Sequence, residues 1–323
     1  MIVVTGGAGF IGSAVVWKLN TQGFDDIVIV DSLEVSEKWK NLVNRRFVDY
    51  LDKDDFLELV LDDEVPFEVE AIVHMGACSS TTERDADYLI ENNYHYTARL
   101  AEWAVEKNIH FIYASSAATY GDGSAGFSDD DGVSAELRPI NMYGYSKQLF
   151  DQWVLRKRLE EKTVGIKFFN VFGPNEYHKG EMRSVIHKSF GQIRETGKVR
   201  LFKSHRPDFR DGEQKRDFIY VKDCAEVIWW FLENRDVAGI FNLGTGRART
   251  WNDLTRAVFA AMGIEPRIEY IEMPESIRQQ YQYFTEAKMD KLLSAGCSVP
   301  TSSLENAVSD YVVNYLEKDE RYL

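Results

Sequence analysis

Short apolar runs alternate with amphipathic segments through the first half of the chain. The apolar runs lie at residues 2–5, 27–30, 71–74 and 111–114. Apolar side chains recur at helical spacing over residues 10–19 and 92–107. Continuous apolar strands separated by helices are typical of a parallel sheet that is covered on both faces. The pattern therefore predicts an α/β fold with a doubly wound, Rossmann-type parallel sheet.

The second half of the chain is less regular. Residues 164–169 predict another buried strand, and a long polar stretch from about 174 to 216 then interrupts the alternation. Residues 241–246 predict a strand that runs into a turn, and residues 252–262 predict a helix. The region beyond residue 268 is mixed.

These patterns predict two interleaved domains. A Rossmann domain is expected over residues 1–170, completed by a segment near 217–246. A smaller, mixed α/β domain that binds the substrate is expected over residues 171–323.

A glycine-rich turn joins the first predicted strand to the first predicted helix. Gly6, Gly9 and Gly12 have a Gly-x-x-Gly-x-x-Gly spacing. Glycine allows a sharp turn and lets a pyrophosphate approach the unpaired N–H groups of the helix N-terminus. Asp31 ends the second strand, nineteen residues after Gly12. An acid at that position usually holds the adenosine ribose hydroxyls, so the segment predicts a dinucleotide-binding site.

The charges near this turn do not decide between NAD and NADP. Asp31 favours NAD, because a carboxylate repels a 2′-phosphate. Lys38 and Lys53 lie downstream and offer positive charge to such a phosphate. The residues alone leave the choice open.

A tyrosine, a lysine and a serine form the second chemical signal. Tyr143 and Lys147 are four residues apart, which puts both on one face of a helix. A free tyrosine titrates near about 10, and a neighbouring ammonium together with the nicotinamide charge favours its phenolate. Ser116 follows the strand at 111–114, at the strand end where ligands bind in such sheets. Together these residues predict an active site with a tyrosine base.

Composition narrows the function further. The chain has 323 residues, 44% of them hydrophobic, and a formal net charge of -14, which excludes a disordered chain and argues against a generic nucleic-acid binder. Its three cysteines are too far apart for a zinc knuckle, and no histidine pattern predicts a metal site. No signal peptide or membrane helix is predicted, so a cytoplasmic protein without membrane insertion is expected.

On these motifs the chain resembles the extended short-chain dehydrogenase/reductase family. The resemblance implies a C-terminal domain that binds a nucleotide-sugar, and transient oxidation of that sugar by bound NAD(P)+. Sugar 4,6-dehydratases of the family carry an acidic pair directly after the serine, where this chain has Ala117 and Ala118. Alanine cannot transfer a proton, so an epimerase or a simple reductase is favoured over a dehydratase.

Within this family the chain resembles the ADP-L-glycero-D-manno-heptose 6-epimerases, from residue 1 to about 316. The strings that carry the resemblance are residues 76–83, 113–121, 143–147, 178–180, 216–221 and 241–248. The resemblance implies interconversion of the D-glycero and L-glycero forms of ADP-β-D-manno-heptose for lipopolysaccharide core synthesis. It also implies oxidation at C6″ by tightly bound NADP, with NAD less favoured, and a homo-oligomer that is a pentamer or a multiple of it.

The resemblance assigns roles residue by residue. Tyr143 and Lys179 correspond to the acid/base pair, Lys147 to the residue that holds the nicotinamide ribose and tunes the tyrosine, and Ser116 to the residue that orients the reacting oxygen. Besides Gly6, Gly9 and Gly12, the cofactor contacts implied are Phe10, Ile11, Asp31, Ser32, Lys38, Lys53, Met75, Gly76, Ala77, Cys78, Ser79, Asn92, Lys147, Val171 and Lys179. The substrate contacts implied are Asn170, Glu181, Lys188, Phe202, Lys203, Ser204, His205, Arg216 and Tyr281.

Three departures from the family pattern accompany these assignments. Met75 stands where relatives can carry an acid, and Lys188 stands where a histidine is expected, with His187 one step earlier. The segment 203–215 is longer than the family pattern. None of the three removes a proposed catalytic group.

Two other functions remain open at this point. One is another nucleotide-sugar enzyme of the same family, such as a 4-epimerase or a net reductase. The other is a non-catalytic NADP(H)-binding sensor, which the intact set of Ser116, Tyr143 and Lys147 disfavours. Residues 178–216 hold eleven Lys/Arg and five Asp/Glu on an otherwise acidic chain, which favours a small anionic ligand such as an ADP-sugar.

Overall fold

The computed structural model describes residues 1–278, 281–297 and 302–323. Its strands are β1 (Ile2–Thr5), β2 (Ile27–Asp31), β3 (Asp49–Asp52), β4 (Ala71–His74), β5 (His110–Ser116), β6 (Thr163–Phe168), β7 (Asn170–Phe172), β8 (Val199–Phe202), β9 (Lys215–Tyr220), β10 (Gly239–Leu243), β11 (Ala248–Thr250) and β12 (Ile268–Ile271). Its α-helices are α1 (Phe10–Thr21), α2 (Lys53–Leu61), α3 (Ala86–Leu89), α4 (Tyr96–Glu106), α5 (Asp131–Ser134), α6 (Met142–Lys157), α7 (Val185–Thr196), α8 (Val221–Glu233), α9 (Trp251–Ala261), α10 (Glu275–Arg278), α11 (Asp290–Ser294) and α12 (Leu304–Tyr311).

Seven parallel strands form the central sheet, in the order β10-β6-β5-β4-β1-β2-β3. The predicted Rossmann-type sheet is therefore confirmed, and every predicted strand of the first half is present. The chain order reverses between β1 and β4, because β2 and β3 lie on one side of β1 and the later strands lie on the other. Ligands of such sheets bind at this reversal, beyond the carboxyl ends of the strands.

Apolar side chains cover both faces of the sheet, as the continuous apolar runs predict. One face packs against α1 and α8, through residues such as Val16 and Phe231. The other packs against α2, α4 and α6, where Phe56, Leu100 and Phe150 are fully or almost fully buried. A sheet buried on both sides leaves its strand ends and the connecting loops as the positions open to ligands.

The segment 217–246 is divided between two sheets. β9 pairs with β7 and β11 in a separate three-stranded sheet, whereas β10 joins the edge of the central sheet beside β6. α8, which connects them, packs against the central sheet. The chain therefore crosses from the small sheet to the large one within this segment.

The polar stretch 174–216 folds into α7 and β8. α7 buries Ile186, Phe190 and Ile193, which recur at helical spacing within an otherwise polar sequence. β8 pairs in parallel with β12, and these elements share an apolar core with α9 and α12. Among the described residues, no helix has both the length and the apolarity needed to cross a membrane.

Candidate active site

The motif residues meet along the carboxyl edge of the central sheet. The turn at Gly6 follows β1, Asp31 ends β2, Met75 follows β4, and Ser116 ends β5. A cavity of about 380 Å³ lies along this edge, and its lining combines the glycine turn, Ser116, Tyr143, Lys147 and Lys179. The fold therefore brings the glycine-rich turn to the same cavity as Ser116, Tyr143 and Lys147.

The glycine turn is shaped so that larger residues do not fit. Gly6 has a φ of +63°, and a Cβ at this position would lie 2.6 Å from Gly76 N. A Cβ at Gly12 would lie 2.1 Å from the carbonyl oxygen of Gly6. Gly9 precedes α1 and supplies no capping side chain, and Gly9 to Gly12 line the cavity. This cradle fits the pyrophosphate of a dinucleotide, since backbone N–H groups at a helix N-terminus bind anions.

Asp31 is held by partners from the protein itself. Its Oδ2 accepts a hydrogen bond from Ala8 N at 2.9 Å, and its Oδ1 accepts from Ser32 N at 2.8 Å. Lys38 Nζ also lies 2.8 Å from Oδ1 and donates to Ser32 O. Asp31 is buried, so this pairing offsets the cost of a charge out of water.

A second cavity adjoins the first on the side of β2 and β3. The two share lining residues that include Gly6, Asp31 and Lys38, and the second adds four of the predicted cofactor contacts: Ser32, Lys53, Cys78 and Asn92. The remaining predicted cofactor contacts line the first cavity: Gly6, Gly9, Phe10, Ile11, Gly12, Asp31, Lys38, Met75, Gly76, Ala77, Ser79, Lys147, Val171 and Lys179. The structure thus brings the whole predicted cofactor set to two adjoining cavities.

Helix α6 carries Tyr143 and Lys147 into the cleft from its first two turns. Asn141 caps the helix, because its side chain accepts a hydrogen bond from Gly144 N at 2.7 Å. Burial raises the pKa of Tyr143, and a hydrogen bond with the Ser116 side chain acts in the opposite direction. Burial lowers the pKa of Lys147 to about 8, although the Asp151 carboxylate opposes this shift. Tyrosine, serine and lysine therefore line one cavity, two of them with pKa values shifted by burial.

Lys179 reaches the same cavity from the segment that follows β7. It lies in the tight helical segment Tyr177–Met182, with its Nζ 5.3 Å from the ring centre of Phe10. Burial lowers the pKa of Lys179, while the buried Glu176 carboxylate opposes the shift. A lysine with a lowered pKa gives up its proton more readily than an exposed lysine does. Tyr143 and Lys179 are thus two proton-handling groups that line one cavity.

A third cavity extends from Ser116 and Tyr143 toward the C-terminal half. Three predicted substrate contacts line it: Asn170, Arg216 and Tyr281. The guanidinium of buried Arg216 lies 5.4 Å from the ring centre of Tyr281 and 5.7 Å from that of Trp251. Arg216 therefore makes cation–π contacts with two aromatic rings beside the cavity.

The other predicted substrate contacts do not line these three cavities. Glu181 and Lys188 form an ion pair at 3.3 Å, with the Glu181 side chain 96% exposed. Phe202, Lys203, Ser204 and His205 lie at the end of β8 and in the loop after it. Lys203 pairs with Glu272 at 2.8 Å, and His205 N donates to Tyr283 OH at 3.0 Å.

Several residues that line the cavities are not among the predicted site residues. Phe168, Phe169, His178 and Met182 line the first cavity, and Asn141, Gln282 and Thr285 line the third. Phe168 and Phe169 end the strand predicted over residues 164–169, so their position at a strand end was the available clue. His178 adjoins Lys179, and burial lowers its pKa to about 4.

Asn41 links the two halves of the cleft. Its Nδ2 lies 2.8 Å from Ala8 O, 3.2 Å from Asn175 O and 3.3 Å from His178 Nδ1. It is almost fully buried, and it thereby ties the glycine turn to the segment that carries Lys179. Among the residues that the structure describes, no cluster of three or more His, Cys, Asp or Glu side chains is arranged to hold a metal ion.

Comparison with known proteins agrees with this geometry. The model of the NAD dependent epimerase/dehydratase family matches residues 2–244. A protein of Nitratidesulfovibrio vulgaris (strain DP4), named ADP-L-glycero-D-manno-heptose-6-epimerase, is 61% identical over 323 residues and covers 100% of both chains. A protein of the same name from Fusobacterium nucleatum is 49% identical over 334 aligned residues, again with 100% of both chains covered.

A solved structure extends the comparison to the fold. The crystal structure of Helicobacter pylori ADP-L-glycero-D-manno-heptose-6-epimerase superposes with a TM-score of 0.81 at 26% identity, covering 97% of this chain and 95% of that one. The family match and the glycine cradle agree on a nicotinamide cofactor. The chain therefore belongs to the NAD dependent epimerase/dehydratase family and, within it, to the ADP-L-glycero-D-manno-heptose-6-epimerases, which makes it an isomerase.

Proposed function

We propose that this protein interconverts ADP-D-glycero-β-D-manno-heptose and ADP-L-glycero-β-D-manno-heptose by transient oxidation at C6″ with bound NADP. In the cell this reaction supplies heptose for the lipopolysaccharide core, and we assign it to the cytoplasm. One observation carries the proposal: Tyr143 and Lys179, which can both transfer protons, line the same cavity as the dinucleotide cradle.

Inversion at C6″ requires two proton-handling groups. The glycine turn and Lys147 would hold a nicotinamide cofactor, which would supply hydride transfer from C6″ and back to the opposite face of the resulting ketone. Because the sugar must present its other face, its oxygen must also meet a different acid/base group. Tyr143 removes the C6″ hydroxyl proton of one epimer, and Lys179 serves the other epimer in the same way. In one turnover Tyr143 gains a proton as the ketone forms, and Lys179, in its charged form, donates a proton to the oxygen as the other epimer forms; the reverse turnover moves both protons back.

Ser116 and Lys147 support Tyr143. The Ser116 side chain opposes the rise that burial causes in the pKa of Tyr143, and we assign to Ser116 the role of orienting the reacting oxygen. Lys147 lies one helical turn after Tyr143, holds the nicotinamide ribose, and in its charged form favours the phenolate. Asp151 raises the pKa of Lys147 against the effect of burial, which favours that charged form.

Two features favour NADP over NAD. The Asp31 carboxylate is neutralised by Lys38 and by two backbone N–H groups, so it repels a phosphate less than a free acid would. Ser32, Lys38 and Lys53 line the second cavity, where a 2′-phosphate finds a hydroxyl and two ammonium groups.

The substrate diphosphate is expected in the C-terminal half. Arg216 and Tyr281 line the third cavity beside Asn170, and the guanidinium there is preorganised by its aromatic neighbours. Glu181, Lys188, Phe202, Lys203, Ser204 and His205 are proposed as further substrate contacts, which the ADP-sugar engages beyond the described cavities.

Domain roles and assembly complete the proposal. We assign cofactor binding to residues 1–170 with a segment near 217–246, and nucleotide-sugar binding to residues 171–323. We further propose a homo-oligomer, a pentamer or a multiple of it. Val35, Trp39, Val43 and Val48 are all exposed, and such apolar side chains suit a subunit contact. Light scattering after size exclusion measures the subunit number, and a monomer would contradict this part.

The activity is tested directly with purified protein. ADP-D-glycero-β-D-manno-heptose is incubated with the protein, and the configuration at C6″ is followed by NMR. We expect a mixture of both epimers without net consumption of cofactor. UDP-glucose serves as the control substrate, since conversion of it at C4″ would identify a 4-epimerase instead. An unchanged ADP-heptose spectrum would overturn the proposed function.

A further inference from the structure

A fully buried ion pair lies behind the strand that carries Ser116. Lys167 of β6 and Asp151 of α6 are both 0% exposed, with Lys167 Nζ 2.5 Å from Asp151 Oδ2. Neither residue lines the cavities of the site. A buried ion pair contributes little net stability compared with apolar side chains of similar size, so its position is the better guide to its role.

Asp151 connects helix α6 to the end of strand β5. Its Oδ2 accepts a hydrogen bond from Ser115 Oγ at 2.7 Å, and its Oδ1 accepts from Tyr113 OH at 3.2 Å. Ser115 directly precedes Ser116, and α6 is the helix that carries Tyr143. The carboxylate therefore fixes the two elements that must bring Ser116 and Tyr143 together.

Lys167 reaches Ser116 from its other side. Its Nζ donates to Thr119 Oγ1 at 2.9 Å, and the Thr119 hydroxyl donates to the carbonyl oxygen of Ser116 at 2.8 Å. Thr119 and Ser115 are both buried, so water does not compete for these bonds. The Lys167 ammonium also lies 5.4 Å from the ring centre of Tyr120.

The two chains of hydrogen bonds end on the residue before Ser116 and on the backbone of Ser116 itself. We propose that Asp151 and Lys167 are positioning residues for Ser116, acting through Ser115 and Thr119 to hold its hydroxyl toward Tyr143. This inference rests on the role proposed above for Ser116. A positioning role differs from a purely structural one, because its loss acts on catalysis only while the Ser116 hydroxyl is present.

The test uses the hydroxyl links, since removing either charge leaves the other unpaired in the core and endangers folding. Thr119→Val removes the link from Lys167 to Ser116 at nearly constant volume. Thr119→Ser keeps the hydroxyl and is the matched control. Both are made in the wild-type protein and in the Ser116→Ala variant, and kcat and KM for ADP-D-glycero-β-D-manno-heptose are measured with bound cofactor quantified.

We expect Thr119→Val to lower kcat by about 5- to 50-fold, because displacing a catalytic group costs rate steeply. KM should stay within about twofold, as the link touches no substrate, and Thr119→Ser should restore kcat. In the Ser116→Ala background, Thr119→Val should change kcat by less than about twofold. Ser115→Ala should follow the same pattern from the Asp151 side.

Two results would overturn the inference. One is a kcat for Thr119→Val equal to that of the wild type. The other is an equal loss of kcat in both backgrounds, which indicates a role independent of Ser116. If Ser116→Ala alone leaves kcat unchanged, the role proposed for Ser116 fails first, and this inference fails with it; the two failures are thus distinguishable.

Discussion

Lys38 Nζ lies 2.8 Å from Asp31 Oδ1, so the acid that ends β2 meets the cofactor site as half of an ion pair. The Lys38 side chain is 22% exposed and the Asp31 side chain 8% exposed. The pair therefore sits at the boundary between protein and cleft, with its positive member on the open side. An unpaired acid at this position favours NAD, whereas an acid that is paired with Lys38 repels the 2′-phosphate of NADP less.

Replacing Lys38 should weaken NADP binding more than NAD binding. Lys38→Met removes a charged donor and also frees the Asp31 carboxylate, and both changes act against a 2′-phosphate. A charge-assisted hydrogen bond contributes about 1.5–3 kcal/mol, which corresponds to a rise of about 10- to 100-fold in the Kd for NADP. Calorimetric titration of cofactor-stripped protein with NADP and with NAD measures the difference. The matched control is Lys40→Met, whose ammonium pairs with Glu37; equal weakening of both cofactors by Lys38→Met would contradict the prediction.

Removing either proton-handling group should stop turnover without releasing the cofactor. We expect Tyr143→Phe and Lys179→Met each to lower kcat by about 10²- to 10⁴-fold, the usual contribution of general acid/base catalysis. The two variants should also differ in direction, because each retains the group that serves one epimer. Single-turnover absorbance at 340 nm with each epimer, together with mass spectrometry of the bound nucleotide, measures this.

A surface lysine provides the control for that experiment. Lys107→Met removes an ammonium that pairs with Asp63 at 2.6 Å on the outer surface, and it should leave kcat unchanged. Near-normal turnover in Lys179→Met would refute the assignment of two acid/base groups. If turnover is lost in Tyr143→Phe alone, Tyr143 is the single acid/base group.

The glycine turn and the central sheet could be predicted from sequence because their signals are local. β1 and β2 are continuous apolar runs, and the spacing of Gly6, Gly9 and Gly12 is a direct consequence of one tight backbone turn. The close approaches that exclude a Cβ at Gly12 involve Gly6 and Gly7, which are near in the chain. Geometry of this kind is encoded within a dozen residues.

The rest of the site depends on contacts between distant segments. Lys179 lies over Phe10, and Asn41 joins Ala8 to Asn175, yet no local pattern pairs these residues. Only the family resemblance pointed to Lys179, and nothing pointed to Asn41. Positions 202–205 are the opposite case. The family resemblance implies that these residues contact the substrate, yet they lie outside the described cavities.

Gly12→Ala should abolish tight cofactor binding. The new Cβ would lie 2.1 Å from Gly6 O, and backbone on both sides must move to relieve that contact. We expect a loss of at least about 100-fold in affinity, since the cradle and the start of α1 shift together. The matched control is Gly191→Ala in α7, where a Cβ meets no atom within 4 Å. That variant should stabilise the protein by about 0.5–1 kcal/mol and bind cofactor normally; normal binding by Gly12→Ala would contradict the prediction.

His74 should make the folded protein sensitive to acid. The ring is fully buried, with Nδ1 2.6 Å from Thr5 Oγ1 and Nε2 2.9 Å from Thr97 Oγ1. Thr97 Oγ1 donates to Asn93 O, so Nε2 carries the hydrogen that it donates to Thr97, and Nδ1 is left to accept from the Thr5 hydroxyl when the ring is neutral. Burial, and then the charge of Lys147, lowers the pKa of His74 to about 3, from its usual 6.5.

Because the unfolded chain binds this proton below pH 6.5 and the folded protein does not, stability falls as pH decreases from 6.5 toward 3. At pH 5 the loss should be about 2 kcal/mol from this group. Urea unfolding at pH 7.5 and pH 5 compares wild type with His74→Gln, which can still donate and accept hydrogen bonds. We expect the wild type to lose about 2 kcal/mol more than His74→Gln between the two pH values. His95→Gln, at an exposed position, is the control and should match the wild type; an equal loss in His74→Gln would show that the acid sensitivity arises elsewhere.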